Sequence, residues 1–184
     1  MEIDQHGWLS GLNNFERKPS PNYNDRPGQT PISLLVIHSI SLPPGLYGGG
    51  YVEDFFLNQL DPDQHPYFST IHDQQVSAHL FVKRDGQIVQ FVPFLKRAWH
   101  AGSSTYEGSE NCNDFSIGIE LEGTDRTPYE SAQYERLAEV TKTLIAVYPE
   151  IQVDRLVGHS DIAPERKKDP GPGFDWYYFR GLLV

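Results

Sequence analysis

A chain of 184 residues with 38% apolar and 12% aromatic content suits one globular domain with a substantial core, and it excludes a largely disordered protein. No stretch approaches the roughly 20 apolar residues needed to span a bilayer, so a membrane partner is not expected. The net charge of −10 argues against general nucleic-acid binding, because a phosphate backbone is met by concentrated Lys and Arg.

The polar start, Met1 to His6, lacks the basic-then-apolar pattern of an export signal, and the lone Cys112 forms no internal disulfide. Both agree with a cytoplasmic location. Residues 1–31 are rich in Asn, Pro, Gly and charge, which predicts an irregular arm on the domain surface, anchored by Trp8 and Tyr23. The aliphatic run Leu34 to Ile37 reads as a short buried strand that ends at His38, before the breaker-rich Ser41 to Gly45. His38 is therefore either a ligand at the rim of the core or a core histidine with one hydrogen bond. The segment Gly45–Gly50 lacks a Gly-Lys-Ser/Thr ending, making it a poor phosphate loop and a better flexible rim over a cavity. Apolar residues at helical spacing follow from Val52 to Leu60.

Ala78 to Lys83 and Gln87 to Val92 flank Arg84-Asp85-Gly86, and Asp-Gly between strand-like runs predicts a hairpin. Another strand is predicted from Ser116 to Glu122. Thr127-Pro128-Tyr129-Glu130 has the form of a capping box, opening a helix with Tyr134, Leu137, Thr141, Leu144, Ile145 and Tyr148 on one face before Pro149. A short strand, Arg155 to Gly158, delivers His159, and a final helical turn or two begins near Phe174. Strands and helices that alternate irregularly around one antiparallel hairpin predict a mixed central sheet flanked by helices, α/β or α+β, in a single domain over 1–184.

The segment from His159 to Pro172 packs an imidazole, a lysine and a carboxylate into one proline-braced loop, where Pro164, Pro170 and Pro172 forbid a continuous helix. His159 and Asp169 can both point inward there, as metal ligands would. A hydrolytic metal site takes three protein ligands and leaves a position for water, and His38 is the best third candidate. Basic residues are few but local: Arg166, Lys167 and Lys168 adjoin Asp169, while Lys96 and Arg97 precede Trp99 and His100, so a small anionic substrate can be met despite the acidic whole. Within Ser116 to Glu122, alternation sends Glu120 and Glu122 to the same face, leaving two candidates for acid-base work. His6, His65 and His72 have no support beyond residue type.

Five segments taken in order, Val36 to His38, Ser77 to His79, Ala98 to Gly102, Asn113 to Glu120 and Gly158 to Gly173, resemble the zinc-dependent N-acetylmuramoyl-L-alanine amidases. The match is best to the AmpD branch, the 1,6-anhydro-N-acetylmuramyl-L-alanine amidases of cell-wall recycling, and runs from about Gly7 to Leu183. The resemblance implies a mixed sheet with helices on its faces, Zn²⁺ held by His38, His159 and Asp169, a catalytic Glu120 and a catalytic Lys167. It implies an anhydro-muropeptide substrate, no protein partner, and an indirect influence on β-lactamase expression in hosts that have that circuit. Two imidazoles and a carboxylate would leave a zinc site about +1, enough to draw the pKa of bound water towards ~7 from roughly 9. Glu122 is then expected beside the site or at the surface, His79 in the core or behind the metal, and Trp99, His100 and Asn113 along the substrate groove. Two departures stand out: Gln75 and Asn111 occupy positions where the branch often carries arginine. Asp169 as third ligand favours this branch over relatives that use cysteine. The alternatives are a noncatalytic peptidoglycan-binding module, told apart by binding without turnover, and a zinc amidase for intact wall, told apart by preference for polymeric sacculi.

Overall fold

Alternation along two seven-residue strands decides which side chains meet the core and which face the opposite side of the sheet. The computed structural model describes residues 1–28 and 30–184; Gln29, inside the arm expected over 1–31, lies outside the described residues. Six strands form the central sheet: β1 (Phe15–Arg17), β2 (Leu34–Ile40), β3 (Leu80–Val82), β4 (Ile88–Gln90), β5 (Ser116–Glu122) and β6 (Leu156–Gly158). Their order is β6-β2-β5-β3-β4-β1. All neighbours are parallel except β3 and β4, which form the hairpin around Gly86. Gly86 adopts φ +79, which explains glycine at that turn. The mixed sheet with helices is the expected architecture.

Leu35, Ile37, Ile117, Ile119 and Leu121 point to one face, where they pack with Leu137, Val140 and Leu144 of helix α2 (Ser131–Val147). Each such aliphatic side chain, fully withdrawn from water, contributes roughly 1.5–3 kcal/mol. The helix starts later than the Thr127 capping box predicts. Thr127 bonds to Thr124 instead, and the backbone N–H of Glu130 donates to Gln133 Oε1 at 3.1 Å. Gln133 Nε2 in turn donates to the carbonyls of Val82 and Glu122, tying the helix to the strand ends.

On the other face, Phe55 and Phe56 of α1 (Tyr51–Phe56) pack against Phe68, Phe81 and Phe91. This helix is shorter than Val52 to Leu60, because Asn58 takes φ +58 and ends it. The arm is also more ordered than composition suggests. Phe15–Arg17 forms the outer strand of the sheet, and Tyr23–Asp25 pairs with Lys96–Ala98. Its anchors are not Trp8 and Tyr23. Leu9 is fully buried, and the Arg26 guanidinium donates to the carbonyls of Phe94, Asn113, Asp114 and Ser116. Among the described residues no helix is long and apolar enough to cross a membrane.

Candidate active site

Three adjacent parallel strands, β6, β2 and β5, end on the same side of the sheet, which is where open sheets of this kind build their sites. His38 lies near the end of β2, directly across the ladder from Glu120 on β5, so both side chains leave the same face. His159 follows β6 immediately, as the first residue of a four-residue helical turn, α3 (His159–Ile162). The chain then doubles back, and the backbone N–H of Ser160 donates to the Asp169 carbonyl at 3.0 Å. Gly158 permits this approach, since a β-carbon there would meet Pro170 Cδ at 2.8 Å.

His38, His159 and Asp169 thus converge from distant parts of the sequence. Nδ1 of His38 and Nδ1 of His159 lie 2.9 Å apart, and Asp169 Oδ2 is 3.3 Å and 3.1 Å from them. Three lone-pair atoms this close call for a positive charge among them, a proton or a metal ion. A tetrahedral ion with bonds of ~2.0–2.1 Å sets its ligand atoms about 3.3 Å apart, so the donor set and spacing both fit a metal. Burial pushes His38 down to about 4, against the pull of Asp169, which keeps the ring neutral as a ligand must be. Burial opposes ionising Asp169, but contact with His159 and His38 outweighs it and holds the carboxyl well below its usual range.

A cavity of about 480 Å³ opens beside this cluster, lined among others by Trp99, His100, Glu120, His159, Lys167 and Asp169. Glu120 is partly exposed as a residue, yet its Oε2 is shut from solvent and has no hydrogen-bond partner. Burial, followed by the charge of Asp169, raises its carboxyl well above the ordinary value, with Lys167 opposing. Glu122 does different work. Its oxygens accept the backbone N–H of Gly48 at 2.7 Å and of Arg84 at 3.1 Å, tying the Gly45–Gly50 segment to the strand end.

The basic residues also separate. Lys96 pairs with Asp25 and Arg97 with Asp114, while Arg166 donates to the carbonyls of Ala101 and Ser103. Lys167 is the one basic residue of these groups that lines the cavity.

The three groove residues expected from sequence divide as well. Trp99 lines the cavity, its indole N–H held by Asn24 Oδ1 at 2.7 Å. His100 lines it too, but both ring nitrogens are engaged, Nδ1 by His38 Nε2 at 2.9 Å and Nε2 by Ser116 Oγ at 3.1 Å. Asn113 is not at the cavity wall. It is buried, and its Oδ1 accepts the backbone N–H of His100 and of Ala101, so it shapes the turn rather than offering a contact to substrate. His79 is a core residue, with Nδ1 accepting from the Gly118 N–H and Nε2 facing the Lys96 carbonyl. Cys112 is buried, and burial raises its thiol pKa, as an inert cysteine requires.

Sequence reasoning missed Ser116 and the Ala101 carbonyl, which lies 3.3 Å from His159 Nε2. It also missed Ser39, Thr124 and Asp125 in the cavity wall. One signal was available: Gly118 interrupts a strand of otherwise larger residues, and a strand-interior glycine marks a close approach.

Comparison with known proteins agrees with this geometry. The family model described as N-acetylmuramoyl-L-alanine amidase matches residues 28–172. The 1,6-anhydro-N-acetylmuramyl-L-alanine amidase AmpD of Salmonella typhimurium (strain SL1344) is 58% identical over 182 residues, covering 99% of this chain and 95% of that protein. A crystal structure of a selenomethionine derivative of AmpD superposes with a TM-score of 0.95 at 55% identity, covering all of both chains. The Escherichia coli amidase AmiD, solved with anhydro-N-acetylmuramic acid-L-Ala-D-gamma-Glu-L-Lys, gives a TM-score of 0.62 at 31% identity, covering 99% of this chain and 65% of that one.

Proposed function

Because the chain belongs to the N-acetylmuramoyl-L-alanine amidase family, we propose that it hydrolyses the amide between the lactyl group of 1,6-anhydro-N-acetylmuramic acid and the L-alanine of the stem peptide. The ion is zinc, with His38, His159 and Asp169 as ligands, and the setting is cytoplasmic muropeptide recycling. The observation that carries this reading is the convergence of three ligand atoms beside a cavity whose wall includes His159, Asp169, a partnerless carboxyl oxygen and a lysine. Two imidazoles and one carboxylate are the donors that a hydrolytic zinc site uses.

Bound zinc supplies a positive field that lowers the pKa of water and polarises an amide carbonyl. The remaining chemistry belongs to side chains of this protein. Glu120 accepts a proton from the attacking water at its free oxygen and returns it to the alanine nitrogen as the carbon–nitrogen bond breaks, so one carboxyl serves as base and then acid. Its high proton affinity suits that second role, and the positive charge of bound zinc would favour the ionised form that the first role needs. Lys167 donates to the oxyanion that forms at the carbonyl, in a site where a preformed donor costs no reorganisation. Trp99 offers an apolar wall to the sugar or peptide. The cavity volume, about 480 Å³, is in the range of small-molecule sites.

The test is direct. Zinc-loaded protein is incubated with an anhydro-muropeptide and release of free stem peptide is followed, with a chelator-treated control. Folded, zinc-bound protein that releases no peptide overturns the proposal, and so does full activity after the metal has been removed.

A further inference from the structure

Two consecutive residues of one turn serve the two histidines of the cluster: His100 Nδ1 lies 2.9 Å from His38 Nε2, and the Ala101 carbonyl lies 3.3 Å from His159 Nε2. Asn113 Oδ1 holds that turn by both backbone N–H groups. From His100 the contacts continue. Its Nε2 is 3.1 Å from Ser116 Oγ, and Ser116 Oγ is 2.5 Å from the Cys112 carbonyl oxygen. A carbonyl only accepts, so the single hydroxyl proton of Ser116 is committed to Cys112. Ser116 then has only a lone pair for His100, and Ser116 is fully buried, so bulk solvent does not compete for its proton. His100 must therefore carry its proton on Nε2 and present a bare Nδ1 to His38.

From this we infer that His100 and Ser116 are positioning residues, completing a one-way hydrogen-bond chain that fixes His38 with its proton on Nε2 and a free lone pair on Nδ1. The inference rests on the reading of His38 as a metal ligand. A neutral histidine outside such a chain divides between two tautomers, and only one of them can bind a metal through Nδ1. The sequence makes room for this device. A β-carbon on Gly118 would lie 2.4 Å from His100 Cγ, so the strand gives up a side chain where the ring sits. His100 thus lines the cavity without being a free group for substrate.

The experiment compares two variants of nearly equal size. His100→Asn keeps an acceptor oxygen near the Nδ1 position, whereas His100→Leu has none. Full-length protein is stripped of metal and the His38 ring nitrogens are assigned by long-range ¹H–¹⁵N correlation. Zinc affinity is then measured by competition with a chromophoric chelator, and thermal unfolding confirms the fold. The wild type should show His38 protonated at Nε2. His100→Leu should show mixed tautomers and lose about 10–100-fold in zinc affinity, the usual effect of removing such a partner, while His100→Asn recovers most of it. Protonation of His38 at Nδ1 in the wild type, or equal zinc affinity in the two variants, overturns the inference. If the wild type takes up no zinc, the metal reading fails on its own, and the nitrogen spectrum still judges the chain.

Discussion

Replacing Glu120 by glutamine keeps the shape of the side chain and removes its charge. Oε2 has no partner, and burial together with the charge of Asp169 raises the carboxyl pKa well above the ordinary value. Below about pH 4.3 the group is protonated in both folded and unfolded chains, so it adds no pH dependence to stability there. As pH rises further the unfolded chain ionises while the folded chain does not. Wild-type stability then falls by about 1.4 kcal/mol per pH unit until the folded pKa is reached. Glu120→Gln lacks this slope. Urea unfolding of metal-free protein at a series of pH values should show the variant gaining on the wild type by about 1.4 kcal/mol per unit from roughly pH 4.5 upward. Peptide release by the zinc-loaded variant should fall about 10²–10⁴-fold. A stability difference that stays flat with pH refutes the view that a neutral carboxyl is buried at the site. Unchanged turnover refutes its role as proton carrier.

Lys167→Met should lower kcat by about 10²–10³, the cost of losing one oxyanion donor, whereas Lys168→Met, outside the cavity wall, should change it little; equal losses in steady-state assays would reject the assignment. Saturating zinc at 100 times its Kd should stabilise the wild type by about 2.7 kcal/mol in thermal or urea unfolding, and His159→Ala should lose that gain. Burial lowers His38 to about 4, His79 to about 3, and His100 well below the usual value. These rings stay neutral in the fold but gain protons near pH 6.5 when unfolded, so the stability they contribute is complete above that pH and is lost as pH falls towards the folded values. Comparing metal-free wild type with His79→Gln between pH 6.5 and about 4.5 should reveal a difference in slope of about 1.4 kcal/mol per unit, and parallel profiles would contradict a buried neutral His79.

Much of the fold was legible because its signals are local. The aliphatic run before His38, the Asp-Gly turn and the spacing from Tyr134 to Leu144 each report a neighbourhood of a few residues. The element ends were less legible: α1 stops at Phe56 because Asn58 just beyond it takes a positive φ, and α2 begins after a cap that Gln133 supplies rather than Thr127. The arm was misjudged because Phe15–Arg17 becomes a strand only by pairing with Ile88–Gln90, more than 70 residues away in sequence.

What the sequence determined alone was the inventory: a proline-braced loop with a histidine and an aspartate, a histidine at a strand end, two glutamates on one strand face, and an order of motifs that resembles one amidase family. Tertiary structure decided how that inventory is used. Alternation cannot separate Glu120 from Glu122, but the ladder sets Glu120 beside His38, while the glycine-rich turn and Arg84 claim Glu122. The family resemblance gives His100 and Asn113 the look of substrate contacts, and only packing turns one towards His38 and the other into the support of its turn. The physical reason is that periodicity fixes the direction of a side chain relative to its own strand. Partners arrive through strand order and register, which form between segments far apart in the chain.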